Sequence, residues 1–378
     1  MQGIRRAAGS GPIRADRRAR TLRSVPSVGW TIPNRAWIRR PSMTAAPSDH
    51  LEPARLALRS ALVDGDVQTA YRLCLRLLDE GTPFDEIVDG VLMPIQVDLG
   101  RRWAAGDVSI ADEHAATAVI EELLLLLAGG LDQAEGREVV VVCPEGDDHS
   151  LPGRIVAMSM GLAGLRSRFL GSSLPARDLA DFLESQRPFA VALSCSVPSA
   201  LVGASRSVAA AHALGVPVLV GGRAFGADPT RALRIGADAW ATDAQSAVDT
   251  IGRWPDGGPT LARPVLPIPE TVDLLASERT LIVASALAQV VDAVPELATV
   301  GDGIDRAATE LAALIDVTAA AILLDDPAVI REQREWAVHL FASHDLPVGT
   351  ITRAMDALAE AADGRGFPIA AGLLRGAA

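Results

Sequence analysis

The sequence predicts an α/β fold: a doubly wound, parallel five-stranded sheet, preceded by a four-helix bundle and followed by a C-terminal all-α domain. Three observations predict it. Residues 137–253 alternate short apolar runs with helical segments, the pattern of a parallel sheet with crossover helices. Residues 50–133 keep a helical apolar period across short connections. After a proline-rich linker at 254–270, residues 271–378 return to long helical periods.

The first bundle helix is expected over 51–63, with Leu56, Leu58, Leu62 and Val63 near one face. The second, over 67–78, sets Tyr71, Cys74, Leu75 and Leu78 at i, i+3, i+4 and i+7, and Gly81 stops it. The third, over 84–103, carries Ile87, Val91, Leu92, Ile95 and Leu99, and Pro94 predicts a kink. The fourth, over 109–127, opens with the capping signal Ser109-x-x-Asp112 and turns almost wholly apolar at 123–127. Short connections make these helices antiparallel neighbours. Strands follow at 138–143, 166–170, 189–194, 217–220 and 237–241, with helices at 153–164, 176–186, 198–213, 227–234 and 244–253. The C-terminal domain begins with a long apolar helix over 272–294, then helices near 303–315 and 347–362 and a short tail. Between them, Asp326-Pro327 caps a helix whose Val329, Gln333, Trp336 and Leu340 follow one stripe. No internal repeat is present, and no helix-turn-helix can be placed.

A chain of 378 residues makes two or three domains. No uninterrupted apolar stretch approaches the ~20 residues of a membrane span, so no membrane partner is expected. Cys74, Cys143 and Cys195 are too widely spaced for a zinc or disulfide framework. They read as small core residues in a reducing, cytoplasmic compartment. All 35 basic side chains are arginines, which excludes a pyridoxal Schiff base and a Walker-type lysine. No Gly-x-Gly-x-x-Gly follows the strand at 138–143, which argues against a nicotinamide site. Residues 1–49 carry a net +8, so the overall −12 leaves −20 on residues 50–378. This arm, rich in Pro, Gly and Ser, is expected to be disordered. It either binds nucleic acid or an acidic surface, or is an upstream extension of the frame with Met43 as the natural start. It lacks the apolar core of a secretory signal. The acidic body repels phosphate, so nucleic acid would be bound by the arm or by a partner.

Chemistry concentrates at Glu145-Gly146-Asp147-Asp148-His149-Ser150-Leu151-Pro152-Gly153. This loop leaves the first strand at the carboxyl edge of the sheet, where ligands bind. Asp147 stands two residues before His149, so its carboxylate can accept from one imidazole nitrogen and free the other for a metal. The same spacing also serves a polar loop whose histidine merely caps the next helix. Two further elements end later strands, Ser194-Cys195-Ser196 and Gly221-Gly222. Upstream, Trp103 is followed by Glu113-His114 in the bundle.

In this order the elements resemble the cobalamin-binding modules of methionine synthase, of corrinoid carrier proteins and of light-sensing cobalamin-dependent repressors. The family pattern is Asp-x-His-x-x-Gly, Ser-x-Leu and Gly-Gly. Here Pro152 stands in the first glycine's place with Gly153 one position late, and Ser196 replaces the leucine. Trp103 with Glu113-His114 resembles the Trp-x9-Glu-His cap over the upper cobalamin face in the photosensory repressors. The resemblance implies a flavodoxin-like strand order and His149 as the lower axial ligand of cobalt, its basicity set by an Asp147–Ser194 relay. It also implies that Gly221-Gly222 let the nucleotide tail thread between sheet and helices, that Ser194 and Ser196 contact it, that Gly153 belongs to the cofactor site, that Trp103 shields an adenosyl group, and that Glu113 and His114 bind its ribose. The turn at 171–175 fits a family loop beside the tail, and fits equally a turn in which Pro175 opens a helix. Ala104 stands where some of the repressors carry a histidine that captures cobalt after photolysis.

The added helical domain resembles the photocobilins, which hold a bilin beside the cobalamin. Trp336, His339 and His344 are either part of a second tetrapyrrole pocket or ordinary bundle residues. No cysteine lies past Cys195, so biliverdin there would be held without a thioether bond. The function expected from the resemblance is a non-catalytic, cytoplasmic light sensor. It would use adenosylcobalamin, with a bilin as candidate second chromophore, and signal to a protein output partner, with homo-oligomers compatible. Two alternatives stand beside it. One is a corrinoid carrier in methyl transfer, against which the cap pattern argues. The other is a cofactor-free interaction module, motivated by Pro152 and Ser196.

Overall fold

Strands β1 (Glu138–Val142), β2 (Arg166–Phe169), β3 (Ala190–Ser194), β4 (Val218–Gly221) and β5 (Ala239–Ala241) form one parallel sheet in the order β2-β1-β3-β4-β5. This is the flavodoxin-like order. The computed structural model describes residues 49–128, 136–259, 261, 265, 267–344, 346–347 and 349–378. The basic arm at 1–48, the last expected residues of the bundle (129–133) and part of the linker lie outside the described residues. β1 and β3 are buried at every position, which is why their sequences are unbroken apolar runs. The side on which successive strands are added reverses between β1 and β3, which leaves a crevice at their carboxyl ends. The register pairs Ser194 with Gly221, so the second and third motif elements meet at that edge.

One face of the sheet carries α6 (Ser150–Leu162) and α10 (Ala244–Arg253), with Val139, Val141, Ala192, Leu219, Met160 and Ile251 between them. The other carries α7 (Ala176–Gln186) and α8 (Leu201–Ala213), and the short α9 (Thr230–Arg234) precedes β5.

The bundle comprises α1 (Glu52–Val63), α2 (Val67–Asp79), a third helix in three parts, and a fourth. The third begins as α3 (Phe84–Ile87), widens into a π-turn (Val88–Leu92) and continues as α4 (Met93–Ala104). Pro94 has no N–H to offer the Gly90 carbonyl four residues back. Arg55 Nη1 donates to that carbonyl instead, at 2.9 Å. The expected kink is thus a widened turn just before the proline. The fourth helix, α5 (Ile110–Ala128), opens with the predicted box: Ser109 Oγ accepts from the Asp112 N–H at 3.2 Å, and Asp112 accepts from the Ser109 N–H at 3.2 Å. The bundle core, with Leu58, Leu62, Ile87, Leu99 and Ile120, extends to Leu151 and Ile155, seating the bundle on α6.

The C-terminal region is α11 (Glu270–Ala293), α12 (Gly303–Leu324), α13 (Ala328–Ser343), α14 (Gly349–Asp363) and α15 (Pro368–Ala377). α12 runs well past the expected 303–315, because Arg279 of α11 pairs with Asp316 through two bonds of 2.6 and 2.7 Å and accommodates that charge mid-helix. Asp326 accepts from the Ala328 N–H at 3.0 Å, the cap expected for α13. The core here is continuous with the α7–α8 side of the sheet: Val191, Val208 and Val220 belong to the same cluster as Val272, Leu275, Leu314 and Phe341. α11 and α12 are each long and apolar enough, by length and composition, to cross a membrane. Neither shows as an unbroken apolar run in the sequence, since Glu278-Arg279 interrupts α11 and Asp316 interrupts α12. Most of the apolar stretch of α12 is buried inside the fold, and most of that of α11 is not.

Candidate functional site

Loop 143–149 carries the Asp-x-His element out of β1. Asp147 is fully buried and accepts three hydrogen bonds. Its Oδ1 takes the His149 backbone N–H at 3.0 Å and the imidazole Nδ1–H at 2.8 Å, and its Oδ2 takes the Ser196 N–H. A carboxylate has no proton to give, so Nδ1 holds the proton of this bond, and in the neutral imidazole Nε2 keeps its lone pair. Nε2 has no partner among the described residues, and the side chain is 55% exposed. The hydrogen bond to Asp147 raises the pKa of His149; burial opposes it, and the charges of Arg223 and Glu113 lie within electrostatic reach. This imidazole is a nitrogen donor with fixed orientation. The partner that completes the Asp147 shell is the Ser196 main chain, rather than the expected Ser194 hydroxyl.

The 171–175 turn buttresses this loop. Ser173 Oγ accepts from the Gly146 N–H at 3.1 Å, and the Ser173 N–H donates to the Asp147 carbonyl at 2.9 Å. Beneath it, burial pushes the Cys143 thiol up to about 12 and also raises the Cys195 thiol well above its ordinary value, so both remain neutral core residues.

Beside the loop a cavity of ≈ 240 Å³ opens between the carboxyl ends of β3, β4 and β5 and helices α6 and α10. Ser194, Gly221 and Gly222 line it, with Pro152, Ile155 and Leu219 among its apolar walls. Gly222 has φ +105°, and a Cβ there would collide with the Cys195 carbonyl; at Gly221 a Cβ would stand 2.9 Å from the Ala241 carbonyl oxygen. The strand ends therefore need both glycines before any ligand arrives. Gly153 does not line the cavity. A Cβ there would meet Phe169 Cε2 at 2.8 Å and Cys143 Sγ at 3.1 Å, so this glycine lets α6 settle on β1 and β2. Thr242 and Asp243, also at the cavity, were not singled out in the sequence, although their place just after a strand at the ligand edge is the signal that could have found them. Asp89 of the π-turn lines it too, with no signal in the sequence; burial raises its pKa, and the nearby charges of Asp85 and Asp243 add to the effect.

On the bundle side, Gln96 Nε2 donates to Glu113 Oε1 at 2.5 Å and to Thr117 Oγ1 at 2.6 Å, which ties α4 to α5. Glu113 Oε2 stands 3.8 Å from His114 Nε2, and His114 is largely exposed. Trp103 lies two turns beyond Gln96 on the same helix face. Its ring meets Trp336 of α13, with centroids 6.1 Å apart and planes at 36°. His339 is exposed on α13, and His344 Nδ1–H donates to its own helix at the Leu340 carbonyl. Among the described residues no three His, Cys, Asp or Glu side chains gather to hold a bare metal ion. A lone, oriented His149 suits a metal already held in its own macrocycle, and the apolar cavity suits a flat aromatic appendage.

Residues 55–127 and 137–249 each match a family model described as a B12 binding domain. A stretch of 106 residues is 30% identical to the HTH-type transcriptional repressor CarH of Myxococcus xanthus, covering 28% of this chain and 36% of that protein. The chain thus spans about a third of that relative's length. Similar solved structures include the Methanosarcina barkeri monomethylamine corrinoid protein, at 20% identity and a TM-score of 0.46 over 53% of this chain and 97% of that one. A cobalamin-binding protein from Desulfitobacterium hafniense matches at 22% identity and a TM-score of 0.30, over 53% of this chain and 98% of its own. Two B12 binding domains thus follow one another along the chain, one on the bundle at 55–127 and one on the sheet at 137–249.

Proposed function

We propose that this chain is a non-catalytic sensor that holds adenosylcobalamin and responds to light. The observation that carries the reading is His149: Asp147 fixes its tautomer and leaves Nε2 open at the ligand edge of the sheet. His149 is then the lower ligand of cobalt. The cavity beside Ser194, Gly221 and Gly222 takes the nucleotide tail and excludes water from it. Trp103, Glu113 and His114 face the upper ligand. When bound, the cofactor supplies a cobalt–carbon bond that visible light breaks. The spacing of Trp103 and Glu113-His114 supports a sensor over a carrier, and so does similarity to a transcriptional repressor. The resemblance to photocobilins extends the reading to a non-covalent bilin against α13, where Trp336 and His339 share a face.

The test is a visible spectrum of protein reconstituted in the dark with adenosylcobalamin, before and after green light, with and without biliverdin. A base-off, histidine-ligated spectrum that changes on illumination is expected. His149→Ala should restore the base-on spectrum or weaken binding at least ~10-fold. An unchanged spectrum and affinity in that variant would overturn the ligand assignment. Equal affinities of the wild type for methylcobalamin and adenosylcobalamin would favour a carrier.

A further inference from the structure

We infer that Trp336, contributed by the C-terminal helices, is a second aromatic wall of the upper-ligand pocket, so that selection of a purine-bearing upper ligand belongs jointly to the bundle and to α13. The inference rests on the cobalamin reading above. Trp103 is the bundle residue that the cobalamin reading assigns to the upper ligand, and its ring meets that of Trp336, at 6.1 Å and 36°. Two tilted indoles at this spacing form an angled aromatic surface, which accepts a flat heteroaromatic ring on either face.

Trp336 is not core filling. It remains 38% exposed, whereas Val329 and Leu340 of the same predicted stripe are buried. A large aromatic left more than a third exposed, against the one tryptophan assigned to the ligand, is a surface with room for an occupant.

Independent contacts fix where α13 sits. Arg231, buried on α9, donates to Glu332 through Nη1 at 3.0 Å and Nη2 at 2.5 Å, and to Asp326 through Nε at 3.0 Å. Glu332 lies one helical turn before Trp336, on the same side of α13. At the far end of the helix, a Cβ on Gly106 would stand 2.8 Å from the Ser343 carbonyl oxygen, so the turn after α4 touches α13 directly. The indole pair is therefore held from both ends of the helix.

The experiment compares wild type, Trp336→Ala, Trp336→Phe and Trp103→Phe. In cofactor-free protein, the circular-dichroism couplet of the two indoles should vanish equally in Trp103→Phe and Trp336→Phe. Calorimetric titration should then show adenosylcobalamin affinity falling five- to tenfold in Trp336→Ala, with hydroxocobalamin affinity unchanged within twofold and partial recovery in Trp336→Phe. Because the side chain is more than a third exposed, neither substitution opens a core cavity. If wild type prefers adenosylcobalamin and Trp336→Ala retains that preference in full, the inference is overturned while the sensor reading stands. A wild type that binds no cobalamin overturns both. Loss of affinity for both cobalamins alike would mark a purely structural role and also overturn it.

Discussion

Two Asp–His pairs in this molecule show how burial decides what an imidazole does. His212 Nε2 lies 2.8 Å from Asp238, which also accepts from the Val218 N–H at 2.7 Å, and both side chains are nearly inaccessible. That pair fastens α8 to β4. His149 makes the same bond at 2.8 Å but leaves its ring open to solvent. The carboxylate favours the protonated ring, so His149 in cofactor-free protein should titrate above the ordinary value of 6.5. A raised folded-state pKa contributes stability that is full below that ordinary value and is lost as pH rises through the folded one. Asp147→Asn should move the NMR titration of His149 downward and flatten stability across that window. An unmoved titration would show that Asp147 does not set the ring's proton affinity. The Asp147–His149 spacing was legible because it is local, two residues of one loop. The third bond of Asp147 was not, because it comes from the Ser196 main-chain N–H, 49 residues away, and every residue but proline carries that group.

At the scale of elements, α6 connects sequence pattern to site most directly. Its N-terminus presents Pro152 to the cavity and Gly153 to the sheet, so the glycine displaced by one place serves packing instead. Gly153→Ala would push a methyl into Phe169 and the Cys143 thiol. It should cost about 1–3 kcal/mol, read as a lower denaturant midpoint at unchanged slope. A neutral effect would mean that α6 is free to shift on the sheet. β1 and β3 were readable because fully buried parallel strands appear as unbroken apolar runs, whereas β2, Arg-Ser-Arg-Phe with two exposed positions, was readable only from its place between two helices. The π-turn was readable only as a kink. Pro94 announces the missing bond, but the residue that satisfies Gly90, Arg55, lies 35 positions away on another helix.

At the scale of the whole molecule, the proline-rich linker sets 271–378 apart in the sequence, while the buried cluster runs from Val191 and Val220 through Val272 to Phe341 without a break. Composition reveals that helices 270–377 are apolar, and not what they pack against. Phe341→Ala should therefore cost ~3–5 kcal/mol. Its effect should spread: hydrogen exchange should accelerate in β3 and β4 as well as in α13, and calorimetry should show the sheet and C-terminal helices melting together. Loss of protection confined to α13 would mark separate cooperative units. The grip on α13 also sets the kind of response open to this architecture. Arg231 holds Glu332 and Trp103 meets Trp336, two footholds about 6 Å apart along one rigid rod. A rod so pinned cannot yield at one foothold and keep the other, since rolling or sliding it displaces both side chains together. The Arg231–Glu332 bonds and the Trp103–Trp336 contact would therefore be made or lost together, as a latch rather than a dial.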